Sequence, residues 1–110
     1  MKVPASGGSL QMTGAGSTGA GVNMLSAGTI TGLSIAVDVA DGSNNYTLEI
    51  RRGGAAIVTL TLNGVTSNRN SALSVAVLAG DILTAFLIRT SGVGASAFSE
   101  EHVVLEISLT

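Results

Sequence analysis

The chain has no cysteine and no tryptophan, and only one proline and one histidine among its 110 residues. Without cysteine there is neither a disulfide framework nor a thiolate metal site, and nothing points to an oxidising compartment. Charge is scarce as well. Five basic and seven acidic residues make up 11% of the sequence, against about 25% in an average globular domain. The basic residues, Lys2, Arg51, Arg52, Arg69 and Arg89, are scattered and outnumbered by carboxylates. That distribution argues against nucleic-acid binding. Aromatics are limited to Tyr46, Phe86 and Phe98, too few for the stacking platforms that single-stranded nucleic acids need. No apolar run approaches the ~20 residues of a membrane helix. The segment Met1–Gly8 carries one lysine with no apolar stretch behind it, so no signal peptide is expected and synthesis in the cytoplasm is.

What remains is small and apolar. Hydrophobic residues make up 45% of the chain and the mean hydropathy is +0.53. Its surface must therefore be built largely from Ser, Thr, Asn, Gly and Ala. Such a surface suits lasting burial against other protein better than a solitary life in solution. The expectation is an obligate oligomer, trimer or dimer, or a component of a larger assembly. At this length a single domain is expected, large enough for a real core.

The organising stretch is Tyr46–Leu62, which reads as a β-hairpin closed at Gly53-Gly54. Tyr46, Leu48 and Ile50 alternate with Thr47, Glu49 and Arg51; Val58, Leu60 and Leu62 alternate with Thr59 and Thr61. This is the period of two that marks strands with one buried face. A two-residue loop would pair Leu48 with Thr59 and split the apolar set between faces. A three-residue loop, Arg52-Gly53-Gly54, pairs Leu48 with Val58 and Ile50 with Ala56, so the three-residue turn is expected.

Residues 1–28 form a separate compositional zone with seven glycines, expected to be either a Gly/Ser-rich arm or one or two short strands around Leu10, Met12 and Val22–Leu25. From 29 to 110 the chain reads as a β-sandwich domain. Ile30–Ala40 alternates Leu33, Ile35, Val37 and Val39 with small or polar residues. Asp41–Asn45 is a turn cluster. A loop, Thr66–Ser71, precedes a strand over Ala72–Leu78, and Ala79-Gly80-Asp81 turns the chain again. Ile82–Arg89 is apolar on both faces: Ile82, Phe86 and Ile88 on one, Leu83, Ala85 and Leu87 on the other. A strand of that kind must be covered on both faces, and the second cover is expected to be a neighbouring subunit. Ser91–Ser99 reads as a loop, and His102–Leu109 as the final strand. The fold class implied is all-β, an antiparallel sandwich or jelly roll of about seven or eight strands.

Motifs of chemistry are weak. Gly14-Ala15-Gly16-Ser17-Thr18-Gly19 matches G-x-G-x-x-G, but no βαβ pattern surrounds it and a glycine-rich background makes chance matches easy. His102 beside Glu100 and Glu101 is better read as a solvated strand entry than as a metal site, since no second histidine accompanies it. A serine triad would lack its nucleophile elbow, and paired-carboxylate glycosidase chemistry would lack an aromatic cleft. No catalytic residue, metal ligand or cofactor is assigned. Arg51 and Arg52 at the hairpin tip are either a solvated pair or a grip for a partner's carboxylate. The candidate interface residues are these two, Leu83 and Leu87 on the doubly apolar strand, and Leu10 and Met12 in the N-terminal zone.

The order GTITGLSIAVDVADGSNNYTLEIRRGG, IVTLTLNG, SVAVLAGDILTAFLIRTSG and VVLEISL, covering Thr29–Thr110, resembles a recurrent bacteriophage β-sandwich module of head-decoration (cement) proteins and tail-fibre or tail-spike domains. It is also similar to complement-type and tumour-necrosis-factor-like jelly-roll trimers, in which a Gly-Asp turn precedes a core strand. The resemblance implies a non-enzymatic virion protein on the capsid surface, binding between major capsid subunits and stabilising the head. A tail-associated adhesion or connector module is the alternative it leaves open. A carbohydrate-binding module, which needs exposed aromatics, is a weaker third.

Overall fold

The computed structural model describes residues 9–13, 22–92, 96–98 and 101–110, the first of these segments by its backbone pairing. Its strands are β1 (Ser9–Thr13), β2 (Val22–Asn23), β3 (Gly28–Val37), β4 (Asn45–Arg52), β5 (Ala55–Asn63), β6 (Ser67–Asn70), β7 (Val75–Val77), β8 (Ile82–Ser91) and β9 (Glu101–Leu109). There is no helix among the described residues. One sheet runs β1-β9-β3-β6, with β7 also on β3; the other runs β2-β8-β4-β5. Strands β6 and β7 share one edge of β3, on Leu33–Ala36 and Gly28–Ile30 respectively. Between them the Leu73 N–H donates to the Thr31 carbonyl at 3.1 Å.

Taken as one interrupted strand, β6 and β7 complete a nested set of antiparallel pairs: β1 with β9, β2 with β8, β3 with β7 and β6, β4 with β5. A long ribbon folded back at Gly53-Gly54 and rolled into two facing sheets is a jelly roll. The expected all-β sandwich is the fold observed.

The core lies between the sheets. Ile30, Leu33 and Ile35 of β3, with Val103, Leu105 and Ile107 of β9, face Leu48 and Ile50 of β4, Leu62 of β5 and Leu83 of β8. In β3 the buried positions change parity, from Gly28 and Ile30 to Leu33, Ile35 and Val37. A bulge between Ile30 and Gly32, where β3 pairs β9, absorbs the extra residue. Strict alternation could not keep both halves of this strand apolar inside; one inserted residue does.

The same device corrects the expected hairpin. The turn is a two-residue loop, Gly53 (φ 60°) and Gly54 (φ 84°), both in the left-handed region that a type I′ turn demands. Arg52 pairs with Ala55 and Arg51 with Ala56; the register then shifts, so that Ile50 pairs with Val58, Leu48 with Leu60 and Tyr46 with Leu62. Ile57 is the extra residue. The three-residue loop was unnecessary because a bulge restores the apolar faces after a tight turn, and Ala56 is exposed rather than inward.

Three further differences are informative. Val39, expected on the apolar face, lies past the end of β3 and is 49% exposed. Ser67–Asn70, expected as a loop, is strand β6. It has no apolar alternation to reveal it, and pairing with β3 decides its conformation. Within the 1–28 zone, residues 9–13 and 22–23 pair as short strands with β9 and β8. Met24 is buried in the core, its N–H donating to the Asp81 carbonyl at 2.8 Å.

The register yields a paired test. Leu48→Ala should cost about 2–5 kcal/mol of stability, whereas Ala56→Lys should stay within about 0.5 kcal/mol. Chemical denaturation measures both, and a large loss at Ala56 would restore the three-residue turn.

Candidate interaction surface

Within the sheet containing β8, cross-strand partners share a face. Leu87 pairs with Leu48, Ala85 with Ile50 and Leu83 with Arg52, so Leu83, Ala85 and Leu87 turn inward with the apolar set of β4. Leu83 is fully buried and Leu87 packs against the core. Leu83, nominated as an interface residue, thus has no exposed surface, while Leu87 keeps intermediate exposure. The outward face of β8 carries Thr84, Phe86 and Ile88, beside Thr47, Glu49 and Arg51 of β4. Thr84 was the usable sign: the face holding the threonine is the one that meets water.

Arg51 lies on this outer face. Its Nη2 and Nε sit 2.6 and 2.8 Å from Glu49 Oε1, and its guanidinium stacks 4.2 Å above the Phe86 ring centroid. The Arg51 charge is thus neutralised by Glu49 and its guanidinium covers the Phe86 ring. Arg52 projects from the hairpin tip to the opposite sheet, donating to the Ala76 carbonyl at 3.0 Å and approaching Asp81 Oδ2 at 3.4 Å. The same carboxylate oxygen accepts the Leu78 N–H at 2.8 Å, the local turn role expected of Gly80-Asp81. Leu10 and Met12 pair in register with Leu105 and Val103; their side chains lie outside the described residues, as do the Gly14–Gly19 motif and Glu100. His102 is exposed on β9 opposite Ala36. Among the described residues no three His, Cys, Asp or Glu side chains gather as a metal site would require.

The large exposed apolar side chains occupy the two ends of the sandwich. Leu25 (82%), Leu78 (63%) and Ile82 (54%) lie at the end where β3 begins. Backbone bonds from Met24 N–H to Asp81 and from Gly80 N–H to Met24 hold their segments together. Val39 and Val65 lie at the far end, where the Val37 N–H meets the Thr66 carbonyl.

That far end also contains a cluster the sequence did not disclose. Asp41 is buried. Its Oδ2 accepts from Asn44 Nδ2 at 2.9 Å, the Tyr46 hydroxyl at 2.8 Å and the Ala97 N–H at 3.1 Å; its Oδ1 accepts the Ser43 N–H at 3.1 Å. The Asn44 amide is the strongest influence holding the Asp41 carboxyl well below the usual carboxylate range. Burial opposes it, and the Tyr46 hydroxyl and the two backbone N–H groups reinforce it. Tyr46 also meets Ser96 Oγ at 2.8 Å and packs edge-to-face on Phe98, ring centroids 5.1 Å apart. The β8–β9 connection is thereby fastened to the β3–β4 turn. Gly92 (φ 104°) sits against Asn44 Oδ1 and the Ser43 carbonyl, where any side chain would collide. Asn44 Oδ1 is buried and accepts no hydrogen bond among the described residues. None of the three aromatics offers an open platform: Tyr46 is buried, and Phe86 and Phe98 are half-buried beside Arg51 and Tyr46.

Comparison with protein-family models, curated proteins and solved structures finds no match to this chain.

Two outcomes are expected at the Asp41 cluster. Tyr46→Phe keeps the ring contact but deletes two hydrogen bonds, costing about 1–2 kcal/mol. Because the folded pKa of Asp41 is depressed, its contribution is fully present above about pH 4, the ordinary range of an unfolded aspartate, and is lost as pH falls below it. The stability gap between the native chain and Asp41→Asn should therefore be constant above that pH and shrink below it. Urea melts across a pH series test this; a gap that does not shrink on acidification would remove the carboxylate from the explanation.

Proposed function

We propose that the chain is a non-enzymatic structural protein of a virion, a decoration (cement) protein that docks between major capsid subunits and stabilises the head. The observation that carries this reading is the outer face of β8. Ile82 is exposed and the half-buried Phe86 and Ile88 face outward after it, on a chain whose charges are few. A strand apolar on both faces calls for a cover on the outer side, and the Arg51 charge neutralised by Glu49 beside it lowers the cost of burying that face. Many modest contacts repeated across a shell add up through multivalency. The jelly roll is compatible with this, since viral capsid domains use it, although a fold alone does not fix a function. Made in the host cytoplasm, the protein would act on the capsid surface, with no cofactor.

One observation favours the alternative, a tail-fibre or connector module. The molecule extends 41 Å along its long axis and 23 by 20 Å across, with apolar residues at both ends. That layout suits stacking end to end.

Mixing the purified chain with undecorated phage heads separates the readings. Cement predicts saturable sedimentation with heads at high copy number, greater resistance of the heads to heat or chelator, and binding at least about tenfold weaker for Ile82→Asp, an exposed substitution that leaves the core intact. A chain that ignores heads would overturn the cement reading. A few copies per particle with an adsorption defect would move the assignment to the tail.

A further inference from the structure

Strand β5 is the edge of its sheet, and its nine residues, Ala55–Asn63, include no charge and no proline. Folded proteins ordinarily blunt such an edge with lysine, proline, brevity or a cover, because open backbone groups recruit another strand. The remaining edge strands among the described residues are short, two to five residues each. β5 is the long and uncharged one.

Its open backbone groups can be assigned. The residues flanking a type I′ turn form a hydrogen-bonded pair, and after the Ile57 bulge the bonded pairs with β4 fall at Val58, Leu60 and Leu62. Thr59 and Thr61 therefore turn their N–H and C=O away from β4. An independent contact agrees: the Thr61 carbonyl accepts Asn68 Nδ2 from β6 at 2.8 Å, on the side away from β4. Asn68 thus occupies one of the open groups and leaves those of Thr59.

We propose that β5 pairs antiparallel with β5 of a second copy of this chain across a twofold axis at Thr59, joining two four-stranded sheets into one. In that register Thr59 of each copy exchanges two backbone hydrogen bonds with Thr59 of the other. Around the axis Thr59 faces Thr59, Val58 faces Leu60, and Ile57 faces Thr61 of the second copy. On the outer face threonine meets threonine, a favourable cross-strand pair. On the inner face Val58 meets Leu60 of the second copy, and Leu60 meets Val58. Val58 and Leu60 are the inward β5 residues that keep some exposure, 6% and 8%, and the pairing covers what is left. Since β5 has no charge, nothing on the edge repels its twin. Self-complementarity of this type is what an isologous interface requires, and it selects a second copy over an unrelated strand. The pairing does not depend on whether the module serves a head or a tail.

Sedimentation and hydrogen exchange on the full chain, across a concentration series, test the proposal. The expected result is a reversible dimer in which the Thr59 amide becomes protected as concentration rises. Thr59→Lys places two ammonium groups opposite each other at the axis on an exposed position, and should weaken the dimer about tenfold or more while leaving the far-UV spectrum and melting of the monomer unchanged. A wild-type chain that stays monomeric would overturn the proposal. So would fast exchange at Thr59 at every concentration, or a dimer that Thr59→Lys leaves intact.

Discussion

Everything in this fold depends on the nested pairing of strands about the Gly53-Gly54 turn. Each pair, from β4 with β5 outward to β1 with β9, places residues from the two halves of the chain side by side. The two sheets are then knitted by β4 with β8 and β3 with β9. An apolar face is useful in such a ribbon only if it stays on one side along its whole length. The bulges near Thr31 and at Ile57 are the corrections that keep it so, each moving the alternation by one residue where the sequence would otherwise turn its leucines outward. A small surface loop can be lengthened with little effect; removing either bulge would invert half a strand.

Much of this was legible. The alternation in Tyr46–Ile50, Val58–Leu62 and Val103–Leu109 identifies strands with one buried face, and Gly53-Gly54 marks the hairpin. The register was not legible, because a three-residue loop and a two-residue loop with a bulge leave nearly the same hydrophobic pattern. Which face of β8 is buried had a single sign in the sequence, Thr84, and is decided by its partner: Leu83, Ala85 and Leu87 are inward because β4 places Leu48 and Ile50 opposite that side. Ser67–Asn70 could not be recognised as a strand, since it contributes backbone pairing to β3 and little apolar area.

The Asp41 cluster shows a different limit. Asp41, Gly42, Ser43 and Asn44 read correctly as a turn, the usual use of such residues. That the carboxylate also receives the Tyr46 hydroxyl and the Ala97 N–H depends on a contact fifty-six residues away along the chain. Side chains chosen for a local turn thus also anchor a distant connection, and position alone gives no hint of it. With one buried carboxylate accepting four hydrogen bonds, the end of the sandwich is fixed by polar contacts where the apolar core thins out.

The nested arrangement also bears on how the chain reaches this structure. Ser9 and Glu106 come from nearly opposite ends of the sequence, and joining them first would confine almost the entire chain as one open loop. Once β4 and β5 have met, however, the span left to close for β3 and its partners is short, and so on outward. Each step then carries the entropy of a modest connection instead of a long one, because loop cost is set by the chain still free and not by sequence distance alone. A topology that looks slow by separation along the chain has a zipper written into it, with its starting tooth at the two glycines.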